Sequence, residues 1–295
     1  MSPYDQMSQA NKTGKRESFL QRGIYTSGSP EEIVNKFRRV VLTTKVIGVL
    51  GVVLLGYLHI SRYTRPLSIL ELLVEFAVWW FLIRFFLEIN FNWLTAIMTR
   101  QMQIGKFIQI MELLKPKYNP RKAGFMNLCF YEGHAYMYLG KDYLFYVQQN
   151  LAQVHYPKWS AFRELSLLNL WGNYFLEKHD VAGFRNCLGE WNRIGPRINN
   201  RGGVHQHYMN VKLFWDLEIA IQEKRFADAN RILGMCPEMK LPVGRLSRRY
   251  NEGLVAEGLM DKTSARIAYM EVAAGSSELW ICGDAKRRLA ELDKI

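Results

Sequence analysis

The sequence predicts an all-α membrane protein: a two-span transmembrane helical hairpin followed by an α-solenoid of about five helix pairs. Three observations carry this. Two long apolar runs, Val40–Ile60 and Leu67–Ile89, lie close together near the start, separated by a short basic turn. Downstream, apolar residues recur at helical spacing, as Leu165, Leu168, Trp171, Phe175 and Leu176 do, and no alternating run suggests a strand. The prolines Pro157, Pro196 and Pro237 then break the helical stretches at intervals of 39 and 41 residues. Repetition on this scale marks stacked helix pairs.

Three segments follow from this pattern. Residues 1–28 form a polar, basic tail expected to be loose, and 29–90 a pre-membrane helix with the hairpin. Residues 91–295 form the helical-repeat domain. Ser29-Pro30-Glu31-Glu32 is a helix start: Ser29 caps, Pro30 suits the first position and Glu32 closes a capping box. The stripe Ile33, Val34, Phe37, Val40 and Val41 leads directly into the first apolar run. At a rise of ~1.5 Å per residue the two runs reach about 31 and 34 Å, enough for a hydrocarbon core of ~30 Å.

Orientation follows from basic residues near the span ends. Lys36, Arg38, Arg39 and Lys45 precede the first run; Arg100, Lys106, Lys115 and Lys117 follow the second. The turn from His59 to Pro66 offers only Arg62 and Arg65. Both termini are therefore expected in the cytoplasm of a two-span cell-membrane protein. The intramembrane polar residues are Glu71, Glu75, Arg84 and Glu88. Glu71 and Glu75 share a face, and Arg84 and Glu88 are spaced to pair. An ionised acid at membrane depth is expensive, so Glu75 reads as a protonated acid hydrogen-bonded within the hairpin, a docking point for a transmembrane partner, or part of a proton path.

The net charge is +12. Residues 1–45 carry eight basic against four acidic groups and residues 46–90 balance, which leaves +8 on the remainder. Beside a bilayer this favours anionic lipid headgroups. Nucleic acid is not expected as a partner, because no recognition motif or dense Lys/Arg stripe accompanies the charge.

Within the array, small and aromatic residues recur in order. Gly133 and Tyr136 precede Ala152 and Pro157; Gly172 and Phe175 precede Trp191 and Pro196; Gly253 precedes Ala265 and Tyr269. Small residues are required where paired helices cross. This arrangement resembles the tetratricopeptide repeat family over about residues 91–293, with a period nearer 40 than the family's ~34. The resemblance implies that the first helix of each pair lines a concave groove where peptides lie. Asn127, Tyr131, His134, Tyr138, Asn169 and Asn173 would face it, with the cluster Tyr131, Tyr136, Tyr138, Tyr143 and Tyr146 as the candidate recognition surface. Helices are expected at 91–114, 122–139, 142–155, 160–178, 181–194, 204–223, 225–235, 246–259, 262–274 and 278–293.

No phosphate-binding glycine loop, zinc-protease motif or nucleophile elbow is present, so no enzyme and no cofactor is expected. Cys129, Cys187, Cys236 and Cys282 are too scattered for a zinc site and read as buried thiols. His205 and His207, two apart on a helix, point in different directions and cannot share an ion. The expected role is a scaffold or adaptor that binds a protein partner at the cytoplasmic face. The rival is an accessory or assembly subunit of a membrane transporter or enzyme complex, contacting its partner through the hairpin.

Overall fold

The structure is a computed structural model that describes residues 24, 25, 27–61, 69–154, 161–198 and 203–293. These residues are all-helical, with twelve α-helices, three short 3₁₀ turns and no strand among them. The order is α1 Pro30–Ser61, α2 Ile69–Thr99, α3 Ile104–Leu114, α4 Ala123–Leu139, α5 Leu144–Ala152, α6 Ala161–Glu177, α7 Val181–Ile194, α8 Gly203–Gln222, α9 Phe226–Met235, α10 Pro242–Gly258, α11 Lys262–Ala273 and α12 Trp280–Leu292. The chain divides into two compact units, residues 1–97 and 98–295.

In the first unit, α1 starts on the expected capping box. The Ser29 N–H donates to Glu32 Oε2 at 2.9 Å and the Glu32 N–H to Ser29 Oγ at 3.3 Å. The tail from 1 to 28 lies largely outside the described residues, but its last part is not loose. Tyr25 is buried and its hydroxyl donates to Asn90, while Lys36 Nζ donates to the Ile24 carbonyl at 2.8 Å. Ile33, Val34 and Phe37 are buried with it, and the Phe37 ring lies 6.5 Å from that of Phe91. Farther along, α1 and α2 pack through glycine. The Trp79 indole N–H donates to the Gly48 carbonyl at 2.9 Å, and a Cβ on Gly51 would lie 2.2 Å from that indole.

The outer faces of both helices are apolar and exposed: Leu50 at 61 %, Trp80 at 66 %, Phe81 at 68 %. α1 is long and apolar enough to cross a membrane. The turn residues 62–66 lie outside the described residues.

The second unit is built from helix pairs: α4 with α5, α6 with α7, α8 with α9, α10 with α11. The turn inside three of these pairs is the same. His179, Lys224 and Met260 each sit in the left-handed region, at φ of 54°, 58° and 64°. Each donates its N–H to the carbonyl three residues back (Leu176, Ile221, Glu257), and the next N–H bonds five residues back (Phe175, Ala220, Ala256). This is the Schellman helix stop. Asp180 and Asp261 then cap the following helices, accepting from the N–H of Gly183 at 2.9 Å and of Ser264 at 3.0 Å.

Several expected boundaries change. The single helix over 91–114 is broken at residues 100–103, where Met102 takes φ 55°; α2 runs unbroken through its apolar stretch to Thr99. α10 begins at Pro242 rather than 246, because a proline fits the first turn, where its N–H would be unpaired. Pro157 lies outside the described residues.

Successive pairs lock through the glycines noted above. A Cβ on Gly133 of α4 would meet Leu170 of α6 at 2.6 Å, and one on Gly172 of α6 would meet Trp215 of α8 at 2.2 Å. Trp215 is buried against Trp191, with ring centroids 4.7 Å apart, and against Phe184 at 5.5 Å. The last helix then returns to the first pair. α12 packs on α4; the Gly105 N–H donates to Glu278 Oε2 at 2.6 Å, and Ser276 Oγ donates to the Met102 carbonyl at 3.1 Å. A linear array, in which each repeat touches only its neighbours, has no such contact.

Candidate functional site

α6 packs against both α4 and α8, so these three first helices stand side by side. Along α4, Asn127, Tyr131, His134 and Tyr138 recur at i, i+4, i+7 and i+11, which puts them on one helix face. They remain half-buried, while Leu128, Cys129, Glu132, Ala135 and Tyr136 between them are buried. The corresponding half-buried residues are Asn169, Asn173 and Glu177 on α6, and His207, Phe214 and Glu218 on α8.

His134 on α4 and His207 on α8 lie within electrostatic range of each other. Burial, and then the charge of His207, pushes His134 down to about 4, although α4 and α8 flank α6. Burial pushes Tyr138 up to about 12 and also raises Tyr131. Each of these side chains still touches solvent, so protein surrounds them without covering them. That combination describes a recess.

The expected groove residues are not equally free. Asn173 Oδ1 accepts the Trp215 indole N–H at 2.9 Å, and its Nδ2 donates to Asn169 Oδ1 at 3.4 Å. Asn173 thus satisfies a donor that would otherwise be buried unpaired. Asn127, His134 and Tyr138 have no hydrogen-bond partner among the described residues. The Phe130 ring meets His134 edge-on at 4.6 Å and Tyr131 at 5.1 Å, holding both in place.

The five-tyrosine cluster divides. Tyr136, Tyr143 and Tyr146 stack together on the α5 side, with centroids of 5.2 Å between Tyr136 and Tyr146, and Tyr136 donates to Glu112. Only Tyr131 and Tyr138 share the face of His134. Helical geometry requires this split, since Tyr136 lies two residues from Tyr138 and points away from it.

Sequence reasoning missed the acids at one end of the recess. Burial, and then Glu218, raises Glu177 to about 7, with Lys141 opposing. Glu218 is raised by burial, partly offset by the hydrogen bond from Gln222 and by Lys141 and His179. Gln222 Nε2 donates at 3.2 Å both to Glu218 Oε1 and to the Leu176 carbonyl, tying α8 to the end of α6. Extending the Asn169–Asn173 stripe by one helical turn leads to Glu177; that was the available signal.

Other polar groups are committed to structure. The buried acids Glu132 and Glu164 pair with Lys115 at 2.6 Å and Arg197 at 2.7 Å. Arg288 bridges Glu257 and Asp284, which also take the Tyr269 and Tyr250 hydroxyls. All four cysteines are buried, and burial lifts the Cys129 and Cys187 thiols to about 12. In α2, Arg84 and Glu88 form the expected i,i+4 pair at 3.7 Å, and Glu71 and Glu75 lie exposed along the helix. Comparison with protein-family models, with curated proteins and with solved structures finds no match to this chain.

Proposed function

We propose that this chain is a non-catalytic scaffold, held in a membrane by α1 and α2, whose helix-pair array takes up an extended segment of a protein partner in its recess. One observation carries the reading: Asn127, His134 and Tyr138 lie half-buried on one face of α4 and have no hydrogen-bond partner among the described residues. In a core these groups would be paired. Tyrosine and asparagine beside a neutral histidine offer apolar area together with donors and acceptors, as a backbone segment requires.

The membrane part of the proposal rests on the outward apolar faces of α1 and α2, far larger than a water-facing surface sustains. The hairpin reading is supported by the Trp79–Gly48 contact, and cytoplasmic termini by the basic residues flanking both runs. The tetratricopeptide-like reading draws support from the thrice-repeated helix stop and from glycine meeting a large side chain on the next first helix.

The test is crosslinking in cells followed by mass spectrometry, with wild type against Tyr131→Ala/Tyr138→Ala. Loss of the two aromatic anchors weakens capture by about 2 kcal/mol, roughly 30-fold, with helical content retained. Unchanged capture overturns the recess reading. A second reading, an accessory subunit docking through the hairpin, is favoured by exposed Glu75 on an apolar helix. Under it, Glu75→Gln abolishes complex formation while the tyrosine pair is silent.

A further inference from the structure

We infer that Arg38, Arg39 and Lys45, on the outward face of α1, seat the phosphate of an anionic phospholipid whose acyl chain lies along the apolar stripe beside them. This rests on the membrane reading above and names the lipid that the hairpin selects.

The packed side of α1 defines its outward side. Phe37 lies against Phe91 of α2, and Gly48 and Gly51 meet Trp79, so these residues mark the face turned to α2. At about 100° per residue the opposite face carries Arg38, Arg39, Leu42, Lys45, Val49 and Val53. All six are exposed, Leu42 at 64 %, Val49 at 65 % and Val53 at 62 %. Two arginines and a lysine thus surround Leu42. Beyond them no Lys, Arg, Asp or Glu interrupts α1 from Val46 to Ser61.

These three cations are uncommitted. Lys36, the fourth base at this end, donates to the Ile24 carbonyl at 2.8 Å and lies 5.9 Å from the centre of the Tyr25 ring. Arg38, Arg39 and Lys45 have no ion pair and no hydrogen-bond partner through their side chains among the described residues. On α2, Glu88 is taken by Arg84 at 3.7 Å.

The contrast between Lys45 and Arg84 says what replaces the missing acid. Helical side chains lean toward the N-terminus of their own helix. α1 and α2 run antiparallel, with Phe37 beside Phe91 and Trp79 beside Gly48. Lys45 therefore leans toward the end that carries Arg38 and Arg39, and Arg84 leans away from it. Arg84, aimed toward the middle of the apolar belt, has Glu88; Lys45, aimed toward the rim, has no acid. A long basic side chain in that position lays its stem on apolar surface and ends at headgroup depth. Arg38 and Lys45 are about 10 Å apart along the axis, and the lean of Lys45 brings its ammonium toward a headgroup layer about 5–8 Å deep.

The chemistry favours a net negative lipid. Phosphate oxygens accept charge-assisted hydrogen bonds from guanidinium and ammonium groups. A zwitterionic headgroup brings a cation of its own into a site that already holds three, whereas an anionic headgroup does not.

The experiment places purified full-length protein in nanodiscs of phosphatidylcholine. Electron paramagnetic resonance reads the association of spin-labelled phosphatidylglycerol against spin-labelled phosphatidylcholine. Both leaflets have one composition, so orientation in the bilayer does not enter. In low salt, labelled phosphatidylglycerol associates at least about threefold more than labelled phosphatidylcholine. Arg38→Gln/Arg39→Gln/Lys45→Gln brings the two lipids level, and Lys45→Gln alone removes part of the excess. Unchanged phosphatidylcholine association and helical content report that both variants are folded. Arg38→Lys/Arg39→Lys/Lys45→Arg keeps the preference, as does Arg84→Gln/Glu88→Gln.

Equal association of the two lipids with the wild type overturns the seat and leaves the membrane reading standing. A chain that stays in solution and out of the nanodiscs overturns both. A preference untouched by the glutamine variants places the cations elsewhere in the chain and overturns the seat. Loss of the preference to millimolar inorganic phosphate at matched ionic strength makes this a site for free phosphate. Loss to micromolar polyglutamate makes it a site for an acidic protein segment, and either result overturns the lipid.

Discussion

Leucine, phenylalanine and tryptophan face outward along α1 and α2, whereas in residues 98–295 the same residue types face inward. Trp80 and Phe81 are about two-thirds exposed; Trp191, Trp215 and Phe107 are buried. Polar groups invert in the same sense. The first unit leaves the Arg84–Glu88 pair outside at 3.7 Å, and the second takes Glu132 and Glu164 inside and supplies each with a base. The helix is a neutral carrier in both. Under the membrane reading proposed above, what differs is the medium that each face must satisfy, and the two regions answer to two solvents.

The largest effect that would break this comparison is all-or-none. Residues 98–295 expressed alone stay in solution without detergent as a helical, cooperatively melting protein, whereas the full chain sediments with membranes and is released only by detergent. A soluble full chain ends the two-solvent account. In the same experiment Ser61→Cys labels with an impermeant thiol reagent in intact cells and Ser277→Cys does not.

Next comes the treatment of charge. Lys115→Met strands Glu132 and costs about 3–5 kcal/mol in chemical denaturation, while Arg84→Met costs under ~0.5 kcal/mol, as an exposed pair does. Similar losses at both sites would mean that burial does not distinguish them.

Smaller again is the packing of glycine. Gly172→Leu drives a side chain into Trp215 and costs about 1–3 kcal/mol, whereas Gly56→Leu, with nothing within 4 Å, is tolerated. The smallest effect has the opposite sign. Lys224→Gly relieves an unfavourable left-handed backbone and stabilises by about 1 kcal/mol, read as a rise in melting temperature.

Much of the first unit was legible because it depends on local rules: the Ser29–Glu32 box and the apolar runs are contiguous in the chain. In the second unit the helix 181–194 was legible to the residue, since Asp180 caps it and Gly195-Pro196 ends it. The turns were not. A Schellman stop usually announces itself with glycine, and here His179, Lys224 and Met260 occupy the glycine position. The repeat is therefore written in backbone geometry more plainly than in residue type. Met102 broke an expected helix for the same reason.

Asn127, Tyr131, His134 and Tyr138 were named from the tetratricopeptide resemblance, and their common helix face follows from their spacing. The diversion of Asn173 to Trp215 depends on a partner 42 residues away, and the tie of Gln222, which also holds Glu218, to the Leu176 carbonyl on one 46 residues away. Periodicity within one helix carries no information about either.

The bonds from Ser276 and Glu278 to Met102 and Gly105 also impose a timetable. Their partners are 174 and 173 residues apart in the chain. At ~5–20 residues per second of synthesis, the early side of this clasp waits roughly 10–35 s for its mate to be made. Throughout that interval the α4 surface that α12 later covers stands open on the nascent chain. A helper that shields newly made proteins therefore has a defined place and a defined moment at which to act, and losing the last fifteen or so residues would leave that moment without an end.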